Sequence, residues 1–177
     1  LARNYVESRM RKRVEERLAA GRFLPDGQHE YVRSELAFTL RVSDGFVHGT
    51  IDKLLLTPLP SGRLRAYVVD FKTNAVPRRE ADAAIERLAL EYRLQMQVYA
   101  QAVRKFIPRI ASVEATLHFL APGPNVEYDV PAEVLSEVRA ARDIDRVLDD
   151  ITSGGFAPAG FGTRTGRRCG GCGFAPI

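Results

Sequence analysis

The chain reads as an α/β domain with a small mixed sheet at its centre and helices around it. Three observations predict that class. Three strand-like runs follow one another with turn signals between them, two long stretches carry apolar residues at helical spacing, and a further apolar strand lies between those two stretches. With a helix at the N-terminus, the expected order is helix, three strands, helix, strand, helix. No internal repeat or low-complexity segment interrupts it.

The elements follow in chain order. Residues 2 to 20 predict a helix, because Val6, Met10, Val14 and Leu18 recur every four residues among Arg and Glu, and Gly21 closes the run. Arg9, Arg11, Lys12 and Arg13 are expected on its solvated face. Leu36, Phe38 and Leu40 alternate with Ala37, Thr39 and Arg41, the period-two pattern of a half-buried strand. Ser43-Asp44-Gly45 is a turn signal, so Phe46 to Leu56 should pair back as a hairpin. Pro58, Pro60, Ser61 and Gly62 make the next loop, and Arg65 to Phe71 the third strand, its Ala66-Tyr67-Val68-Val69 run buried. A helix from about Ala83 to Phe106 and a strand from Val113 to Leu120 come next, the strand stopped by Ala121-Pro122-Gly123-Pro124. Pro131 is placed at the first turn of a last long helix. Val134, Val138, Ile144, Val147, Leu148 and Ile151 form its apolar stripe, and Gly154-Gly155 its end.

The length of 177 residues suits one domain with a real core and is too short for two large ones. Apolar residues at 45% and charged residues at 27% exclude a disordered or fibrous chain. No apolar run approaches the ~20 residues of a membrane span, and the N-terminus lacks the pattern of a signal peptide, so a cytoplasmic protein with no membrane partner is expected. The net charge of +4 and pI near 9.3 suit a polyanionic partner without requiring one. The chain starts without Met and ends within a motif, which reads as a fragment of a longer protein: one domain over 1–177, with residues 156–177 as a tail.

The residues that carry chemistry stand at the ends of two neighbouring strands. Asp52 closes Gly49-Thr50-Ile51-Asp52, and Asp70-Phe71-Lys72-Thr73 closes the strand after it. Residues two apart on a strand share a face, so Asp70 and Lys72 project together, and hairpin pairing can bring Asp52 beside them. Either aspartate alone would be an ordinary strand end meeting solvent. The conjunction differs, because a charged Asp-x-Lys after the apolar Tyr67-Val68-Val69 run is costly unless it serves a site. Two close carboxylates repel unless they share a cation, and hard oxygen donors favour Mg²⁺ or Mn²⁺. Such an ion polarises a phosphate and acidifies a bound water, while Lys72 would orient or help deprotonate that water, or stabilise charge on the phosphate.

Gly-Thr-Ile-Asp (49–52), Asp-Phe-Lys-Thr (70–73) and Gln95-Met96-Gln97-Val98-Tyr99 together resemble the successive motifs of the RecB/AddA-type nucleases of the PD-(D/E)XK superfamily, over roughly residues 30 to 177. Gln95 and Tyr99 match a Gln-x-x-x-Tyr motif, and Tyr92 lies on the same helical face. The resemblance implies a restriction-endonuclease-like core and a metal held by Asp52, Asp70 and the backbone carbonyl of Phe71. It also implies Asp52, Asp70, Lys72, Gln95 and Tyr99 as the catalytic set. The family's metal-binding His on the first helix has no counterpart between Leu1 and Gly21; either that helix is truncated, or Glu7, Glu15 or Glu16 substitutes. Glu35, ahead of the first strand, matches an acidic position of relatives as a ligand or supporting group. His29, His48 and His118 read as structural.

Cys169-Gly170-Gly171-Cys172 resembles the C-terminal signature of iron–sulfur members, Cys-x-x-Cys-x5-Cys, whose next Cys would follow Ile177. Two cysteines cannot complete a four-ligand site, so a [4Fe–4S] cluster is expected in the full-length protein only. Arg164, Arg167 and Arg168 read as a basic tail. The expected function is Mg²⁺-dependent DNA hydrolysis, as an exonuclease in DNA end processing and recombination repair. The implied partners are DNA, a helicase domain of the same polypeptide and a second helicase–nuclease subunit. The alternatives are a catalytically inactive DNA-binding module of the same fold and a free-standing CRISPR-adaptation exonuclease.

Overall fold

The computed structural model describes residues 1–21, 32–43, 45–76, 81–123 and 126–153. In order these form α1 (Ala2–Val6), α2 (Arg9–Gly21), β1 (Val32–Val42), β2 (Gly45–Pro58), β3 (Leu64–Lys72), α3 (Ala81–Phe106), β4 (Ile110–Phe119), β5 (Glu127–Asp129) and α4 (Glu137–Thr152). The strands make one mixed sheet in the order β1-β2-β3-β4-β5. β1/β2, β2/β3 and β4/β5 pair antiparallel, and β3/β4 pair parallel. A parallel pair needs a crossover, and α3 supplies it.

β3 is the central strand, and Ala66 to Asp70 are buried without a break. Its side chains alternate between two clusters. Ala66 and Val68 pack with Met96, Tyr99, Ala100 and Val103 of α3, and with Val113, Ala115, Leu117 and Phe119 of β4. Tyr67 and Val69 pack on the opposite face with Met10 and Val14 of α2. The sheet thus separates α3 from α2. Met96 is fully buried in the first cluster, so truncating it to Ala should cost about 2–5 kcal/mol.

The first helix is broken where one continuous run was expected. The buried Ser8 donates from Oγ to the Tyr5 carbonyl at 2.6 Å and accepts from the Arg11 amide at 3.1 Å. It thereby ends α1 and caps α2. The break turns Val6 outward (54% exposed) and leaves Met10 and Val14 to bury, while Tyr5 joins the α2-side cluster. Arg13 is not on a solvated face: its guanidinium lies 5.2 Å from the Tyr67 ring centroid and 3.1 Å from Glu127 of β5. That short strand, with no periodicity of its own, was not expected.

The last helix also starts later than Pro131 suggests. Val134 donates its amide to the Pro131 carbonyl at 2.9 Å, closing a turn, and α4 begins at Glu137 behind Ser136. Proline's fixed φ serves a turn as readily as a first helical turn. Leu135, Ala140 and Ile144 are buried, whereas Val138 is 82% exposed, so the stripe is narrower than expected. Gln97 of α3 ties this part of α4 down, donating to Asp143 at 2.8 Å. The chain divides into two units, Leu1–Asp145 and Arg146–Ile177, with the boundary inside α4. The described part of the second unit is the helix end, where Thr152 and Ser153 hydroxyls bond the carbonyls of Leu148 and Asp149.

A kink in the β1/β2 hairpin positions the site. Val32 packs on the α2 side, yet Leu36 and Phe38 pack on the α3 side, so β1 swaps faces between them. On β2, Ile51 and Leu54 both join the α3-side cluster although they differ in parity. The ladder runs from Ser34↔Lys53 to Leu36↔Ile51, leaving Glu35 and Asp52 in the gap, with Glu35 at φ 51°. A left-handed non-glycine residue costs about 1–3 kcal/mol, and here it marks a kink that re-aims its neighbours without shifting the register. Glu35 therefore lies within β1 rather than ahead of it.

Candidate active site

Asp70 and Lys72 share the parity of Val68 and so project from the end of β3 onto the face covered by α3. Asp70 is 2% exposed, and its Oδ2 lies 2.6 Å from the Lys72 ammonium. Lys72 Nζ also donates to Gln95 Oε1 at 2.8 Å. Gln95 donates through Nε2 to the Tyr99 hydroxyl at 2.8 Å, and that hydroxyl donates to the Thr50 carbonyl at 2.6 Å. One relay thus runs from Asp70 on β3 through α3 to β2. The i, i+4 spacing makes it possible, because Gln95 and Tyr99 stack on one helical face.

Asp52 enters from β2. The β2/β3 ladder ends at Lys53↔Val69, and beyond it the Phe71 amide donates to Asp52 Oδ2 at 2.7 Å instead of to a backbone carbonyl. A strand residue's amide and carbonyl point to the same side, and neighbours point to opposite sides. The Lys72 carbonyl accepts from Leu120 beyond the end of β4, so the Phe71 carbonyl faces the β2 side, where Asp52 stands. Asp52, Asp70, Lys72, Gln95, Tyr99 and the Phe71 backbone, all singled out from sequence, therefore meet in one place.

The electrostatics are those of a buried carboxylate with a second one close by. Burial, above all, pushes the Asp70 carboxyl above its ordinary value, and the Asp52 charge adds to the rise; the hydrogen bond and charge of Lys72 oppose both. Burial also raises the Tyr99 phenol to about 12, helped by the charges of Asp70, Asp52 and Glu35. Tyr99 is therefore a neutral hydroxyl at any working pH and acts as a donor to Thr50. Among the described residues, no three His, Cys, Asp or Glu side chains converge as a metal cluster. Two carboxylates with a backbone carbonyl suit Mg²⁺, which retains waters and takes phosphate oxygens rather than filling an all-protein cage.

The other candidates separate. Glu35 is near enough to act on Tyr99 electrostatically but does not gather with Asp52 and Asp70 into one ligand set. Glu7 and Glu15 bond Arg3 and Arg11 at 2.9 Å, and α2, which carries Glu15 and Glu16, packs on the sheet face opposite Asp70. His118 is buried beside the rings of Tyr5 and Phe71, and His48 bonds Thr39. His29, Gly154-Gly155, the basic tail and Cys169 and Cys172 lie outside the described residues. Sequence reasoning missed Asn74, whose Oδ1 accepts from the Tyr92 hydroxyl at 2.9 Å, and the Thr50 carbonyl that anchors Tyr99. The parity of Asn74 with Asp70 and Lys72 was the available signal for the first.

The family model of the PD-(D/E)XK nuclease superfamily matches residues 2–177. No curated protein matches the sequence.

Proposed function

Because the chain belongs to the PD-(D/E)XK nuclease superfamily, we propose that it hydrolyses DNA phosphodiester bonds with Mg²⁺ or Mn²⁺, using Asp52, Asp70 and Lys72. The observation that carries this reading is the convergence of two repelling carboxylates with a lysine held at 2.8 Å by Gln95. Asp52, Asp70 and the Phe71 carbonyl would hold the metal, whose part is to polarise the scissile phosphate and acidify a water. Lys72 orients that water or meets the charge developing on the phosphate. Gln95 and Tyr99 keep Lys72 in position and perform no proton transfer.

The finer reading follows the motif order. Gly-Thr-Ile-Asp, Asp-Phe-Lys-Thr and Gln-x-x-x-Tyr support a RecB/AddA-type exonuclease acting on DNA ends in recombination repair, coupled to a helicase domain or subunit. In a longer form of the protein, Cys169 and Cys172 would supply two of the four thiolates of a [4Fe–4S] cluster. Iron analysis of that longer form, purified without oxygen, tests this point separately. Among the described residues, no helix is long and apolar enough to cross a membrane.

The deciding experiment is cleavage of an end-labelled single strand with Mn²⁺ by the wild type, Asp70→Ala and Lys72→Ala. Cleavage by the wild type alone, with all three proteins folded, is the expected result. Binding without cleavage by the wild type would instead identify an inactive DNA-binding module, the reading favoured by the absent helix histidine.

A further inference from the structure

We infer that Tyr92 is the positioning residue that keeps the Lys72 ammonium in place when Asp70 turns to a cation. The inference rests on the nuclease reading of the site and assigns a part to a residue outside its acid, base and ligand set.

Lys72 Nζ has three supports: the Asp70 carboxylate at 2.6 Å, the Gln95 amide oxygen at 2.8 Å, and the Tyr92 ring, whose centroid is 3.8 Å away. The last is a close cation–π contact, made by a lysine side chain only 11% exposed, where little water competes. The three supports do not have the same future. Asp70 is the support that a divalent cation claims, because its oxygens are the hard donors. Once they turn to the metal, the ion pair weakens. The four-carbon stem of Lys72 then regains rotamers unless something else holds its end.

Gln95 and Tyr92 remain. They are three residues apart on α3 and so share a face, one turn of helix presenting an oxygen and a π-surface together. Tyr92 is fixed in turn: its hydroxyl donates to Asn74 Oδ1 at 2.9 Å, and Asn74 lies two residues beyond Lys72 on the same stretch of chain. The pairs Lys72/Asn74 and Gln95/Tyr92 interlock, so the ring cannot tilt away without breaking a hydrogen bond. A ring also attracts the ammonium without offering it a carboxylate, and so does not compete with a phosphate for its charge.

The test uses Tyr92→Leu, Tyr92→Phe and Asn74→Ala in the full chain, each checked by thermal melting. Tyr92→Leu should lower kcat roughly ten-fold with KM unchanged, and Tyr92→Phe should restore most of the rate because the π-face is the working part. Asn74→Ala should fall between them. The second readout is spectroscopic. The chain has four lysines, so the ε-methylene signals of ¹³C-lysine-labelled protein are few, and Lys72→Arg identifies the relevant one. In the wild type that signal should be shifted upfield by the ring, stay shifted when Mg²⁺ alone is added, remain in Tyr92→Phe and vanish in Tyr92→Leu. Loss of the shift on adding Mg²⁺, or a Tyr92→Leu protein that is folded and fully active, overturns the inference. If no form cleaves DNA, the nuclease reading fails, while the Mg²⁺ titration still decides whether Tyr92 retains Lys72.

Discussion

Replacing Tyr99 by Phe removes one oxygen atom and two hydrogen bonds. The hydroxyl donates to the Thr50 carbonyl at 2.6 Å and accepts from Gln95 Nε2 at 2.8 Å. Tyr99 is 5% exposed, and its ring packs edge-on to Phe38 at 5.7 Å, so the ring itself should stay where it is. No cavity larger than a hydroxyl forms. Each lost bond contributes about 1 kcal/mol net, giving about 2 kcal/mol for the pair. At roughly 2–4 °C per kcal/mol for a chain of this size, the melting temperature should fall by about 4–8 °C. The catalytic loss has a separate cause. With its amide nitrogen released, Gln95 can turn its Oε1 from Lys72, so kcat should drop roughly ten-fold while DNA binding holds. Thermal melting and steady-state cleavage of the same preparations measure both. A double-mutant cycle with Gln95→Ala should show coupling of about 0.5–1.5 kcal/mol, since the two side chains share one bond. Additive effects, or a Tyr99→Phe protein that melts and cleaves like the wild type, would show that the relay is incidental.

Four further outcomes follow from the same geometry. Excess EDTA should abolish cleavage and Mg²⁺ or Mn²⁺ restore it, whereas Ca²⁺ should permit DNA binding with little turnover because it relaxes the coordination geometry; full activity in EDTA sinks the metal mechanism. Burial raises the Asp70 pKa, so its ionised form works against folding, and metal-free stability should decline relative to Asp70→Asn as pH rises from the ordinary value of 3.8 through the raised one. Melting curves in EDTA read this directly, and a gap that ignores pH refutes it. Mg²⁺ should then raise the melting temperature of the wild type, by a free energy of about 2.7 kcal/mol at one hundred times its Kd, and leave Asp70→Asn unmoved. Gly49→Ala would place a Cβ 2.6 Å from Phe38 Cζ, so the ring that packs on Tyr99 must move. The expected cost is about 1–3 kcal/mol in chemical denaturation, and an unchanged midpoint counts against the packing described.

The site was legible in sequence because strand parity and helical spacing are local rules. Asp70 and Lys72 had to share a face, and Gln95 and Tyr99 had to stack, whatever the tertiary structure. The far end of the relay was not legible, since the Thr50 carbonyl enters through a contact across the fold. In the fold itself, the long periodic elements were readable and the exceptions were side-chain events. Ser8 breaks a helix whose apolar spacing ran straight through it. Pro131 marks a turn instead of a helix start. β5 is three residues long and owes its pairing to β4, so no pattern announces it.

The kink at Glu35 also bears on how the molecule keeps to itself. Among the described residues, the sheet ends on β1 at one side and β5 at the other, and each outermost strand is an invitation for another chain to add a strand. β5 is too short to serve as a template. β1 is 11 residues long and would serve well if it were flat. The left-handed turn at Glu35 bends it, and Arg33, Glu35 and Arg41 stand exposed along it, so an incoming strand meets a broken hydrogen-bonding row and a line of charges. The distortion beside Asp52 thus also leaves the sheet's long outer strand bent and charged, a poor template for strand addition.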